Sequence, residues 1–129
     1  MFGSLPLMAI VVIVYNILAF TGTPLDMSLL EAKLVSGAVW SVSVSDVLLT
    51  SGLILLFLEM ISATRTGSST VINHGLSLVV FVAALVEFIV LPQFGTSTFF
   101  LITMFTLLDV VAGFTVTIAT ARRDFSVGE

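Results

Sequence analysis

Four acidic side chains, Asp46, Glu59, Glu87 and Asp109, stand in or at the edges of long apolar stretches that contain no Lys or Arg. An ionised carboxylate at bilayer depth costs at least ~2.5–3.5 kcal/mol even on the most lenient insertion scale. Carboxyls in such a setting are protonated, hydrogen-bonded inside a helix bundle, or turned toward a polar cavity. Two chemistries are open to them: proton exchange and interhelical hydrogen bonding. With ~1.5 Å of rise per helical residue, their order by depth is Asp46, Glu87, Asp109, Glu59, then His74 and Arg65. Titratable groups stepped across a bilayer are what a proton path requires.

The helical faces these acids occupy carry the second clue. Thr103, Thr106, Asp109, Gly113 and Thr117 fall within roughly a 120° arc at about 100° per residue, a small and polar stripe that ends near Arg122. Ser77, Val80, Ala84, Glu87 and Leu91 share one face, and Gly52, Leu55, Leu56, Glu59 and Ala63 share another. Small and polar faces normally point into a membrane bundle, where close backbone approach and side-chain hydrogen bonds hold helices together. Asp46 and Glu59 face different ways, which argues against one internal path through both.

Each acid also has a purely structural reading. Asp46 is expected to cap the helix that it opens, offering its carboxylate to backbone N–H groups. Glu59 lies six residues before Arg65, about 9 Å along the helix axis, and can reach that arginine or the headgroup layer. Glu87 and Asp109, deeper in, suit helix-packing glue and a proton relay equally; they are the pair expected to carry any function, with Glu59 beside them. His74, after a polar linker, is expected to be interfacial or capping. Trp40, Arg65, Arg122 and Arg123 fit interfacial anchors.

Composition excludes several classes of function. The chain has 129 residues, 58% of them hydrophobic and only 9% charged, with a net charge of −4; mean hydropathy is +1.25. An acidic, apolar chain is no nucleic-acid binder. Without cysteine it has no disulfide, thiolate or zinc–thiolate chemistry. One histidine argues against a multi-histidine metal or haem site within one chain. No phosphate loop, nucleophile elbow or nucleotide fingerprint is present. The reading is therefore not an enzyme, with no cofactor and no metal.

The elements that must position these residues are four apolar spans, at about 5–21, 45–64, 74–93 and 97–120, in a single membrane domain. Pro6 suits a first helical turn, and Pro92-Gln93-Phe94-Gly95 marks a tight link between the third and fourth spans. The residues before 5 lack the basic start of a secretory signal, so the first span is read as retained. Arg65, Arg122 and Arg123 all flank one side, against Lys33 on the other, which places both termini in the cytoplasm.

Residues 22–44 form the loop between the first two spans. Thr23-Pro24-Leu25-Asp26 resembles a helix start, but Trp40-Ser41-Val42-Ser43-Val44-Ser45 alternates with period two, as a strand does. The alternation favours a short extracytoplasmic β-hairpin, pairing 29–35 with 39–45 across a turn at Ser36-Gly37. The expected fold is thus an all-α four-helix membrane bundle with this hairpin between helices 1 and 2.

The run Leu101 to Asp124, with LLDVVAGFTVTIATARRD, together with SDVLL (45–49), EMISATRTG (59–67) and INHGLSLVVF (72–81), resembles small four-span inner-membrane proteins of proteobacteria. The resemblance implies a bacterial inner-membrane placement and carries over no functional residue. Two functions remain: a structural or accessory component, homo-oligomeric or part of a larger membrane complex, and a small oligomeric proton-coupled transporter or channel built on the embedded carboxyls. The lipid bilayer is a partner in both.

Overall fold

A computed structural model describes residues 6–62 and 68–127; the side chains of 68–71, 117, 120, 121 and 123–127 fall outside that description. The elements are α1 (Met8–Thr21), β1 (Ser28–Lys33), β2 (Val39–Ser43), α2 (Val44–Ser62), α3 (Ser68–Val90) and α4 (Ser97–Val127), with a 3₁₀ turn at Pro92–Phe94. Val44–Ser62, Ile72–Val90 and Ser97–Val116 are long and apolar enough to cross a membrane, while α1 is a shorter apolar helix. Against the expected first span of 5–21, the described helix has 14 residues, or about 21 Å of rise. Gly22 stops it. That residue takes the left-handed conformation at φ 74°, and Gly22 and Thr23 return their N–H groups to Ala19 and Leu18, a closure that favours glycine.

The hairpin reading holds, and the helix start suggested by Thr23-Pro24-Leu25-Asp26 does not form. β1 and β2 pair antiparallel, with Lys33 opposite Val39, Ala32 opposite Trp40 and Leu30 opposite Val42, and the register shifts at Leu29. Gly37, at φ 93°, makes the turn. β2 runs into α2 with no linker because Ser43 serves both. Its hydroxyl accepts the Asp46 N–H at 3.2 Å, and Asp46 Oδ2 accepts the Ser43 N–H at 3.0 Å. That is a reciprocal capping box. Asp46 is thus the third residue of the helix rather than its cap. The next two N–H groups of α2, from Val44 and Ser45, go to the carbonyls of Met27 and Leu25, which ties the hairpin base to the bundle.

The bundle is apolar outside and in part polar inside. Ile10, Ile13 and Ile17 on α1, Leu53, Ile54 and Phe57 on α2, Val79, Val82 and Ile89 on α3, and Leu101, Leu108 and Val111 on α4 all face outward. The interior combines an apolar cluster, with Met8, Val11, Tyr15, Phe94, Phe99 and Ile102 at its centre, and the buried polar residues Glu59, His74, Ser77, Thr103, Thr106 and Asp109. Gly52 lets α4 come close: a Cβ there would lie 3.1 Å from the Phe105 ring. The polar stripe read on the fourth span is the buried face of α4, with Thr103, Thr106, Asp109 and Gly113 all inside. A soluble domain does not present apolar surface on every helix.

Candidate functional site

Each buried acid meets a group from another element. Leu7 lies at the start of α1, with no side-chain cap from its own segment. Its backbone N–H is one of the orphan donors of a helix N-terminus. Glu59 Oε1 accepts it at 2.9 Å, so α2 supplies the cap that α1 lacks. Glu59 is only 5% exposed; its side chain is packed inside the bundle. Arg65, its expected partner, lies outside the described residues.

Asp109 on α4 is 3% exposed and within hydrogen-bonding reach of Ser77 on α3, and it stands close enough to Glu59 to act on its charge. The Ser77 hydroxyl donates to the Asn73 carbonyl of its own helix at 3.0 Å. Asp109 Oδ2 is buried without a hydrogen-bond partner. His74, three residues before Ser77, is 3% exposed and packs against α4. Its ring stacks near Phe114, centroids 5.0 Å apart. A Cβ on Gly113 would come within 2.9 Å of its Cε1. Glycine at 113 is what admits the imidazole.

These residues gather at one end of the bundle, where α2 ends, α3 begins and the polar face of α4 runs outward. Glu59, His74, Ser77 and Asp109 therefore form one polar cluster from three helices, with the N-terminus of α1 against it. Glu87 is not part of it. It is half-buried on α3 and accepts from Asn16 Nδ2 of α1 at 3.2 Å, while the same amide donates to the Val12 carbonyl at 2.8 Å. The structure thus separates Glu87 from Asp109 and joins Asp109 to Glu59. Periodicity placed each acid on an inward face, but the partnering depends on helix rotation, which no single helix encodes.

The opposite end has its own ties. Tyr15 donates to the Gln93 carbonyl at 3.1 Å and shares a hydrogen bond with Thr96 at 2.8 Å. Thr96 in turn accepts the Phe99 N–H at 3.1 Å and so caps α4. The Tyr15 ring packs on Phe94 and Phe99, centroids 5.2 and 4.6 Å away. Trp40 is 53% exposed on the hairpin, and Arg122 is exposed near the end of α4; Arg123 falls among the side chains not described.

Among the described residues no three or more His, Asp or Glu are grouped to hold a metal ion. No protein-family model matches the chain, nor does any curated protein or solved structure.

Proposed function

We propose that this chain is a small polytopic protein of the bacterial inner membrane that acts as a structural or accessory component, assembling with its own copies or within a larger membrane complex. In this reading α1 to α4 all span the bilayer, Arg65, Arg122 and Arg123 lie on the cytoplasmic side with both termini, and the hairpin is extracytoplasmic. The short α1 is accommodated by local thinning of the bilayer or by its packing against the longer helices.

The observation that carries the reading is how the interior polar groups are used. Glu59, Glu87, Asp109, Tyr15 and Ser45 each hydrogen-bond to another helix or its flanking turn. Such bonds are the usual glue of membrane bundles. The hairpin supports an assembling role. A two-stranded sheet leaves an unpaired edge on each strand, and open edges invite a further strand. Leu29, Leu30, Val39 and Trp40 on it are all more than half exposed, and an isolated hairpin is marginal in water.

Native mass spectrometry of the chain gently extracted from its own membranes tests this. A homo-oligomer or a complex with co-purifying membrane subunits is expected. A monomer without partners, across several mild detergents, refutes it.

A further inference from the structure

We infer that Glu59 and Asp109, with Ser77 beside Asp109 and His74 one turn away on α3, form an internal proton-binding site in which the pair of carboxyls carries one exchangeable proton. The inference goes beyond the assembling role proposed above and does not depend on what the protein assembles with.

Two observations converge on a proton. The first is proximity: two carboxyls from different helices lie near enough for their charges to interact, each at least nine-tenths buried. Like charges confined in a poorly polarisable interior are strongly disfavoured, and one proton on the pair removes one of them. The second is Asp109 Oδ2, buried with no donor to meet it. A full negative charge on an oxygen that no donor reaches is the arrangement buried carboxyls avoid.

The remaining groups around the pair fit the same role. From the start of α1 comes, among the described residues, the Leu7 N–H, which binds Glu59 Oε1 at the positive end of that helix and gives one carboxyl of the pair a partner suited to negative charge. From α2 comes Glu59 itself. From α3 come Ser77 and His74, and from α4 Asp109 and Thr106, whose hydroxyl is turned to the Thr103 carbonyl. No Lys or Arg among the described residues forms part of the cluster. His74 rests on Gly113, one helical turn along α4 from Asp109, toward the end where α3 begins. An imidazole at that place can pass a proton between the pair and that end of the bundle.

Dicyclohexylcarbodiimide supplies a test. It adds to a protonated carboxyl in apolar surroundings, taking up the acid proton and rearranging to a stable N-acylurea with no leaving group. The full chain in detergent at neutral pH is expected to take one adduct, at Glu59 or Asp109 and not at Glu87. The yield should fall as pH rises and stay the same whether the salt is sodium or choline chloride. In Asp109→Asn, labelling of Glu59 is expected to fall about tenfold, because the neighbouring like charge is gone and the Leu7 N–H favours the carboxylate. Infrared difference spectra of the unmodified chain serve where that variant does not fold. A protonated carboxyl stretch that shifts in D₂O within minutes is expected, and slower exchange in His74→Gln. Absence of both the adduct and the carboxyl band at neutral pH overturns the proposal, as does a band that never exchanges. Suppression of labelling by sodium but not choline also overturns it, assigning the site to an alkali ion.

Discussion

Substituting Glu59 by leucine and by glutamine separates its role as a cap from its role as an acid. Both changes remove the charge, relieve the crowding with Asp109 and keep a side chain of similar bulk. Only glutamine keeps an oxygen that can accept the Leu7 N–H, now held at 2.9 Å. The difference between the variants therefore holds the cost of orphaning that donor together with any bond the new amide makes to Asp109, and hydrogen exchange at the start of α1 reads the first by itself. An unsatisfied buried N–H costs about 1–3 kcal/mol. Leu7 is half-buried, which selects the lower part of the range, about 1–2 kcal/mol. For a domain near this size that is on the order of 5 °C in melting temperature. The assay is a thermal melt of each variant in the same detergent, with hydrogen exchange followed at the N-terminus of α1. Glu59→Leu is expected to melt lower than Glu59→Gln and to exchange faster at the start of α1 alone. Equal melts and equal exchange would refute the claim that α2 caps α1.

Three further outcomes follow from the packing. Gly113→Ala drives a methyl to within 2.9 Å of the His74 ring and is expected to cost about 1–3 kcal/mol as an overpacked interior site, read as a lower melt with a shifted His74 resonance; an unshifted resonance refutes the contact. Tyr15→Phe keeps the stacking on Phe94 and Phe99 but drops the bonds to Gln93 and Thr96, for an expected loss of about 0.5–1.5 kcal/mol by chemical unfolding. Ser43→Ala removes one side of the capping box, with an expected loss of about 1 kcal/mol and faster exchange at the first amides of α2.

The sequence foretold the elements better than their partnerships. Period-two alternation from Trp40 to Ser45 and the Ser36-Gly37 turn were enough to place the hairpin, because strand and turn signals are local. The buried stripe of α4 was visible in Thr103, Thr106, Asp109 and Gly113 for the same reason. Ser43-x-x-Asp46 is a capping box written in the sequence, but Ser43 also belongs to the strand alternation, so the local pattern alone fits both roles. The packing of His74 was not legible for a physical reason: its position after a polar linker says nothing of Gly113, distant in sequence, which opens the space that its ring fills.

Glu59 and Glu87 show most directly why the candidate site needed three dimensions. Both are single acids on small-residue faces, alike by every local measure. Glu87 meets Asn16, an amide that can donate to a carboxylate and leave it a satisfied polar tie. Glu59 meets a helix N-terminus on one side and a second carboxyl on the other. The first arrangement holds two helices together and asks for nothing more. The second places like charges side by side in a buried interior, and one proton relieves that repulsion. Glu87 is thus a tie between helices alone, whereas Glu59 and Asp109 tie helices and also bring two acids near each other. The difference arises from which neighbours the crossing helices bring, not from the acids themselves.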